Sequence, residues 1–443
     1  FEDAAVNTVI TILERCESEE ERRKNAVRFV KLKKPLSQLL PQDLHLQEAE
    51  RWEKVDALVR EMEGAAALDV PGGELRAVEK EAYRIRLVPQ EVLEAELEAR
   101  STAAKWGTYL RMPQVYFDLL QAARDKLVPL KRVGRVRRGY TTGINDFFYL
   151  EVLDEPAQAP GAVRVRNARG WVGEVEEACL APVIKSPREA RGLVVDPAGL
   201  PYRLFLPPVA HAPDPEEMLR KRYPLAYQYV KWGEEQKTES GQLWKEVPSV
   251  RGRRAWWLLP PRVPGPILMP MTTGERFAVL RNPGVQADHR LFELLVPESQ
   301  ADLVAGLMNS TLFALFWEAG SRVNLGGGAL ETEGKDWKEI PIPAPQSLDQ
   351  RARRAIVGAY ATLKNRPVRS IFEELRQRDR QALDRTVLEA LGLDPRDYLP
   401  RLYEALEELV GERVNLPRMR RVRRRQEKRL SFAQVVERVR REV

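Results

Sequence analysis

The spacing of apolar positions divides the chain into stretches of different texture. Near the start, AAVNTVITILE (Ala4 to Glu14) and AVRFVKL (Ala26 to Leu32) are apolar and rich in β-branched residues. Both predict short buried strands, with the charged CESEEERRKN between them as a solvated loop or helical turn. Two strands cannot form a sheet domain alone. They predict either an edge hairpin of the next domain or the tail of a larger α/β domain. From Gln47 to Gly64, residues Trp52, Val55, Leu58, Val59 and Met62 recur at helical spacing, and a Glu/Ala-rich stretch from Pro89 to Ala104 predicts a second helix. From Val128 to Pro343, the runs AVRVRN, GLVVD, YRLFLPP, AWWLLPP, GPILMPM and RFAVLRN alternate with Gly and Pro and predict a mostly β domain. DPAGLPY (Asp196 to Tyr202) reads as a turn, and Gln300 to Ala319 as one interrupting helix. Beyond Pro345 the period is helical again. Ile356, Tyr360 and Leu363 mark one helix, and Ile371, Leu375, Leu383, Val387, Leu388 and Leu391 mark others. Leu402, Leu406, Leu409 and Val410 mark a fourth.

These textures predict a mixed α and β fold with segments 1–35, 36–126 (a helical connector), 127–345 (β-rich) and 346–443 (helical, with a basic tail). The 443 residues, 43% hydrophobic and 31% charged, suit two to four folded domains. A formal net charge of +7 turns attention to polyanions, nucleic acid first. Cys16 and Cys179 form no CxxC pair, which suits a reducing, cytoplasmic setting. His45, His211 and His289 are too scattered for a zinc site. Phe1-Glu2-Asp3 does not open a signal peptide. The most apolar helix, Leu303 to Trp317, is interrupted by Asn309, Ser310 and Thr311 and is too short and polar to span a bilayer.

The familiar catalytic motifs are missing. GxxxxGK[ST], GxGxxG and HExxH do not occur in the sequence. The three histidines build no Ser/His/acid set. What remains is basic and aromatic. LKRVGRVRRGYTTG carries Arg135, Arg137, Arg138, Tyr140, Thr141 and Thr142, with Asn145 just beyond. Lys231, Arg251, Arg253 and Arg254 lie among Trp232, Trp244, Trp256 and Trp257. Arg322, Asn324, Gly326 and Gly327 lie in GSRVNLGGGALETEG. Guanidinium groups bind phosphate and read guanine, Asn pairs with adenine, and glycines let backbone N–H groups approach phosphate. Each cluster also has a plain structural reading. Adjacent tryptophans in a strand predict one ring in the core and one at the surface, and arginines on a strand are commonly solvated. The run RMRRVRRRQEKR, with Arg420, Arg421, Arg424 and Arg425, predicts a basic helix that either contacts phosphate or is simply a charged surface.

At RRGYTTGINDFFYL (Arg137 to Leu150) the sequence resembles the C-terminal half of adenine-specific DNA methyltransferases of the γ type, including type I and single-chain restriction-modification enzymes. Their target-recognition domains carry Gly-x-Thr-Thr-Gly-x-Asn-x-Phe-Phe. RRAWWLLPP, LMNSTLFALFWE and RVNLGGGALETEGKDWKEIPIP follow in the expected order. LDRTVLEALGL and YEALEELVGER resemble the helical tail of such proteins, and Phe1 to Leu32 the last strands of their Rossmann-like catalytic domain. The resemblance implies a target-recognition domain at 127–345 that reads duplex DNA. It also implies S-adenosylmethionine as the cofactor of a catalytic domain or subunit, since the family's Asn-Pro-Pro-Tyr and glycine-rich loops do not occur in this sequence. The chain alone is then expected to be a specificity half, inactive in methyl transfer. In it the Gly143 turn would project Thr141, Thr142 and Asn145 towards bases, while nearby arginines hold phosphates. A nuclease, or a phage-defence adaptor reusing the domain to bind protein, are the competing readings.

Overall fold

The computed structural model describes residues 11–34, 36–40, 48–66, 77–99, 106–323, 328–427 and 440. The fold is mixed α and β, in two compact units. One comprises Phe1–Asp125, Val323–Gly328 and Arg396–Val443, and the other Lys126–Arg322 and Ala329–Pro395.

In the first unit a three-stranded antiparallel sheet runs in the order Ala26–Leu32, Tyr83–Pro89, Ala77–Glu79. The sequence pattern does not predict the middle strand. YRIRLVP carries two arginines, and both Arg84 and Arg86 are buried. Arg86 donates to the Gln114 side chain (3.0 Å) and the Met112 carbonyl (3.0 Å), and its guanidinium lies 3.9 Å above the Phe117 ring. Burial, then the neighbouring Arg84 charge, pushes its pKa down to about 10. Leu58 and Met62 of the helix Glu48–Ala66 pack on Tyr83 and Ile85, as the helical period predicts. CESEEERRKN holds a short helix, Glu19–Lys24, capped by Ser18. The strand expected at Ala4 to Glu14 lies largely outside the described residues, and its last part, residues 11–14, is not a strand. Among the described residues this sheet is wholly antiparallel, so it does not display the expected Rossmann-like remnant.

The second unit is built on two larger sheets. The six-stranded one runs Gln286–Ala287, Leu180–Ile184, Tyr202–Phe205, Tyr149–Val152, Ala162–Arg166, Val172–Glu176. It is antiparallel except where Gln286–Ala287 joins Val183–Ile184. The four-stranded one runs Leu280–Arg281, Ile267–Pro270, Leu291–Leu295, Arg135–Arg138, with Arg135–Arg138 at its edge. GLVVD and AWWLLPP are not strands. The first makes one isolated bridge at Val194, and the second is an irregular segment in which Trp256 and Trp257 are both buried. The expectation of one core and one surface ring fails because a bent segment need not alternate its side chains between two faces.

The expected helix at Gln300 to Ala319 is two helices, Glu298–Met308 and Thr311–Gly320, bent by 79°. Asn309 causes the break by hydrogen bonding both the N–H (3.1 Å) and C=O (2.9 Å) of Val279. Ser310 then caps the second helix. Asp384, on Arg378–Ala390, accepts from the Thr311 N–H (2.6 Å) and hydroxyl (2.5 Å). Both helices are largely buried. Among the described residues, no single helix is long and apolar enough to cross a membrane.

Glu374 anchors the helices after residue 345. It accepts from Arg366 Nη1 (2.7 Å) and Nη2 (2.9 Å), from the Arg369 N–H (2.9 Å), and from buried Arg380 (3.4 Å). Burial alone would raise its pKa, but Arg366 and Arg380 hold it below the ordinary value of 4.5. Arg366 likewise holds Asp379 below 3.8. Depressed carboxylate pKa values contribute stability above the unfolded-state pKa, and that contribution fades as pH falls through the folded values. Acid titration followed by circular dichroism should therefore show the second unit losing stability progressively below about pH 4.5. Glu374→Gln should flatten that loss.

Candidate nucleic-acid interface

The turn at Gly143 is placed by the strand edge before it and the aromatic core behind it. Gly139 passes so close to the next turn that a Cβ there would collide with the Asp288 carbonyl oxygen. Tyr140 then plunges into the core and donates its hydroxyl to the Pro260 carbonyl (2.8 Å), with the Arg262 guanidinium 3.7 Å from its ring centre. Gly143 adopts φ = 79°, a conformation that favours glycine. The short helix Asn145–Phe148 follows. Phe147 stacks on Tyr229 at 4.7 Å and accepts the Tyr229 hydroxyl at its carbonyl (2.7 Å), and Trp256 packs at 4.5 Å. Phe147, Phe148 and Tyr149 are all buried, so the aromatic end of the motif holds the turn to the core.

The polar residues of the turn do not all face outwards. Thr141 and Asn145 are exposed, but Thr142 is buried and its hydroxyl donates to Asn145 Oδ1. The expected projection of Thr142 is therefore replaced by an inward hydrogen bond that orients the Asn145 amide. Arg253 stitches the turn from behind, donating to the carbonyls of Thr142 (2.7 Å) and Thr141 (3.3 Å). Burial lowers its pKa.

Several other arginines and the lysine expected at the interface are engaged by partners within the chain, although Arg254 and Arg322 are exposed and Lys231 is half-buried. Arg137 pairs with buried Glu293 at 2.7 Å and donates to the Val263 carbonyl at 2.6 Å. Arg254 donates to the carbonyls of Ala210 and Pro213. Lys231 sits between Glu216 (2.8 Å) and Glu234 (3.2 Å), and hydrogen bonding to Glu216 raises its pKa. Arg322 is 3.3 Å from Asp336, itself buried at the start of the helix Gly334–Glu339. Arg138 donates to the His289 carbonyl (3.0 Å) and lies 3.9 Å from Glu333, yet stays 43% exposed. Arg135 and Arg251 are exposed and, among the described residues, make no ion pair. Asn324, Gly326 and Gly327 lie outside the described residues. Arg420, Arg421, Arg424 and Arg425 fall on the helix Pro395–Glu427.

Of the interleaved tryptophans, Trp244, Trp256 and Trp257 are core and Trp232 is partly buried against it. Trp244 and Trp256 pack around Phe147, and Trp171 and Trp232 around Tyr229. Sequence reasoning missed Arg262, which donates to the Arg138 carbonyl (2.9 Å), and the Asp288-His289-Arg290 turn, joined to Tyr140 by a bridge. Nothing in local sequence pairs residues more than a hundred positions apart. Among the described residues, no group of three or more His, Cys, Asp or Glu side chains is placed to hold a metal ion.

No protein-family model matches the sequence, and no curated protein matches it. Among solved structures, the type IIG restriction endonuclease BpuSI is similar over 88% of this chain, with a TM-score of 0.50 and 13% sequence identity. The likeness is one of fold. This chain spans 40% of the length of that protein.

Proposed function

We propose that this chain recognises duplex DNA as the specificity part of an adenine-specific DNA methyltransferase or restriction-modification enzyme. The observation that carries the reading is the fold it shares with a type IIG restriction endonuclease over 88% of its length. The Gly143 turn supports it. A glycine-dependent turn bolted to an aromatic core presents Thr141 and the oriented amide of Asn145, with Arg135 and Arg138 exposed just before it in the chain and Arg251 exposed at the end of the short helix Pro248–Arg251, whose Ser249 and Val250 lie against Gly143. Short polar groups on a rigid support suit base reading, and exposed arginines suit phosphate holding. Thr142, Tyr140, Arg253 and Arg137 take positioning roles on this reading. The basic run through Arg420, Arg421, Arg424 and Arg425 adds attraction without sequence preference. On this reading S-adenosylmethionine would serve a catalytic domain or subunit of the enzyme, and this chain's described residues are assigned no step of its chemistry.

Titrating the chain with mixed-sequence duplex DNA at several salt concentrations tests the reading. About four to eight phosphate contacts are expected, giving a log–log slope of roughly −4 to −7. Replacing Arg420, Arg421, Arg424 and Arg425 with glutamine should flatten the slope and weaken all sequences alike. Binding that does not respond to salt, or no binding at all, would reject duplex recognition and favour a protein-binding adaptor.

A further inference from the structure

Lys185 follows the strand Leu180–Ile184 and is held in an unusual way. Its ammonium lies 3.8 Å from the ring centre of Tyr202 and 4.8 Å from that of Tyr149. Among the described residues it has neither a hydrogen-bond acceptor nor an ion-pair partner. Burial lowers its pKa, opposed by the charges of Glu189 and Asp288. Those two carboxylates are occupied elsewhere. Glu189 accepts from the Lys185 backbone N–H at 3.0 Å. Asp288 is buried and accepts from the Tyr149 hydroxyl and the Arg290 N–H (2.9 Å), and lies 3.1 Å from His289 Nδ1. The bonds to Asp288 fix the turn that carries Arg290, whose Nε lies 4.0 Å from Asp288 Oδ1 and whose side chain is 61% exposed, and the Asp288 N–H donates to the Ile184 carbonyl (3.0 Å), one residue before Lys185.

The same turn is tied to the recognition segment. Tyr140 N–H donates to the Ala287 carbonyl at 2.7 Å, and Arg138 Nε donates to the His289 carbonyl at 3.0 Å. The carboxylates of Glu189, Asp288 and Asp146 act on the ammonium without bonding it, and a partly desolvated ammonium with no hydrogen-bond acceptor, oriented by two aromatic faces, is costly unless a ligand supplies one. We propose that Lys185 and Arg290, gathered around Asp288, form a phosphate clamp that grips the DNA backbone beside the Gly143 turn. The inference rests on the duplex-binding reading and adds a contact that the basic clusters of the sequence do not include. A clamp rigidly joined to Arg138 and Tyr140 sets the distance from a phosphate to the bases facing Thr141 and Asn145, and so fixes register.

The test uses Lys185→Met, which keeps an unbranched apolar stem between the tyrosines, Arg290→Gln, and the two combined. Each is titrated with mixed-sequence duplex over a salt series. Lys221→Met, at a lysine paired with Glu217 on the helix Pro215–Arg222, is the control for a change in net charge alone. The clamp predicts a slope shallower by about 0.9 for each single change and about 1.8 for the double, with Lys221→Met unchanged. Lys185→Met gives up the cation contacts with Tyr202 and Tyr149 but keeps an apolar stem between the rings, so it should melt within a few degrees of the parent. If Lys185→Met fails to fold, Arg290→Gln alone decides. Parent binding with a normal slope that neither variant alters overturns the clamp and leaves duplex recognition standing. Equal effects at Lys221 also overturn it, as a net-charge effect. Absence of binding by the parent chain overturns the duplex reading, and the clamp falls with it.

Discussion

Replacing Arg137 with methionine should destabilise the second unit by about 3 kcal/mol, near the lower end of the cost of orphaning a buried charge. Glu293 is 1% exposed and its Oε2 accepts from Arg137 at 2.7 Å. Its other oxygen accepts from the Gly265 N–H at 2.8 Å, and Arg262 is 3.9 Å away. Without Arg137 the buried carboxylate keeps one N–H donor and a cation 3.9 Å away. Arg262 tempers the loss but cannot fill the vacated position without leaving Tyr140. Adding Glu293→Gln removes the orphaned charge and preserves an acceptor for Gly265, so the double variant should regain at least half of the loss. Urea denaturation of the parent, the single variant and the double variant measures this. A change within about 0.5 kcal/mol for Arg137→Met would mean that the pair behaves as a solvated surface bridge.

Arg137 also marks where a sequence stops being informative. RVRR alternates as a strand should, and Arg135–Arg138 is one. Its partner strand, Leu291–Leu295, lies more than 150 residues away and carries a glutamate in an otherwise apolar run. Only the register Glu293↔Arg137 turns an apparent phosphate ligand into half of an internal pair. Arg253 and Arg254 follow the same rule, since backbone carbonyls capture their guanidinium groups and carbonyls have no sequence signature. Local periodicity was legible where burial was apolar. Ile356, Tyr360 and Leu363 line the buried side of Gln350–Leu363, and Leu383, Val387 and Leu388 that of Arg378–Ala390. It failed at Tyr83–Pro89, where two buried arginines break the apolar pattern, and at AWWLLPP, where an apolar run is buried without being a strand. The turn residues were legible as a group, because Gly-Ile-Asn followed by two phenylalanines combines conformational freedom with an anchor. Which of its hydroxyls faces inwards was not, because that depends on Asn145 curling back to Thr142.

The turn itself should be the point most sensitive to a single substitution. Gly143→Val must place a β-branched residue at φ = 79°, which costs about 1–2 kcal/mol before any contact is considered. The added Cβ would also lie 2.5 Å from Ser249 Oγ and 3.0 Å from Val250 Cγ1. Val250 is buried, so relief must come from moving the turn outwards, away from the Arg253 bonds to Thr141 and Thr142. A total loss of about 2–4 kcal/mol is expected in denaturant melts. Duplex affinity should fall at least tenfold, because Asn145 loses its orientation when Thr142 is displaced. Gly143→Ala separates the two costs. Alone it meets both the backbone penalty and these contacts, whereas with Ser249→Gly the 2.5 Å clash is gone, leaving the backbone penalty and the 3.0 Å approach to Val250. Recovery of binding in that double variant, with stability only partly restored, would assign recognition to the position of the turn rather than to the strength of the fold. If Gly143→Val binds duplex as tightly as the parent despite its lower stability, the turn is only a support for the Phe147 core, and base contacts must be sought elsewhere on the unit.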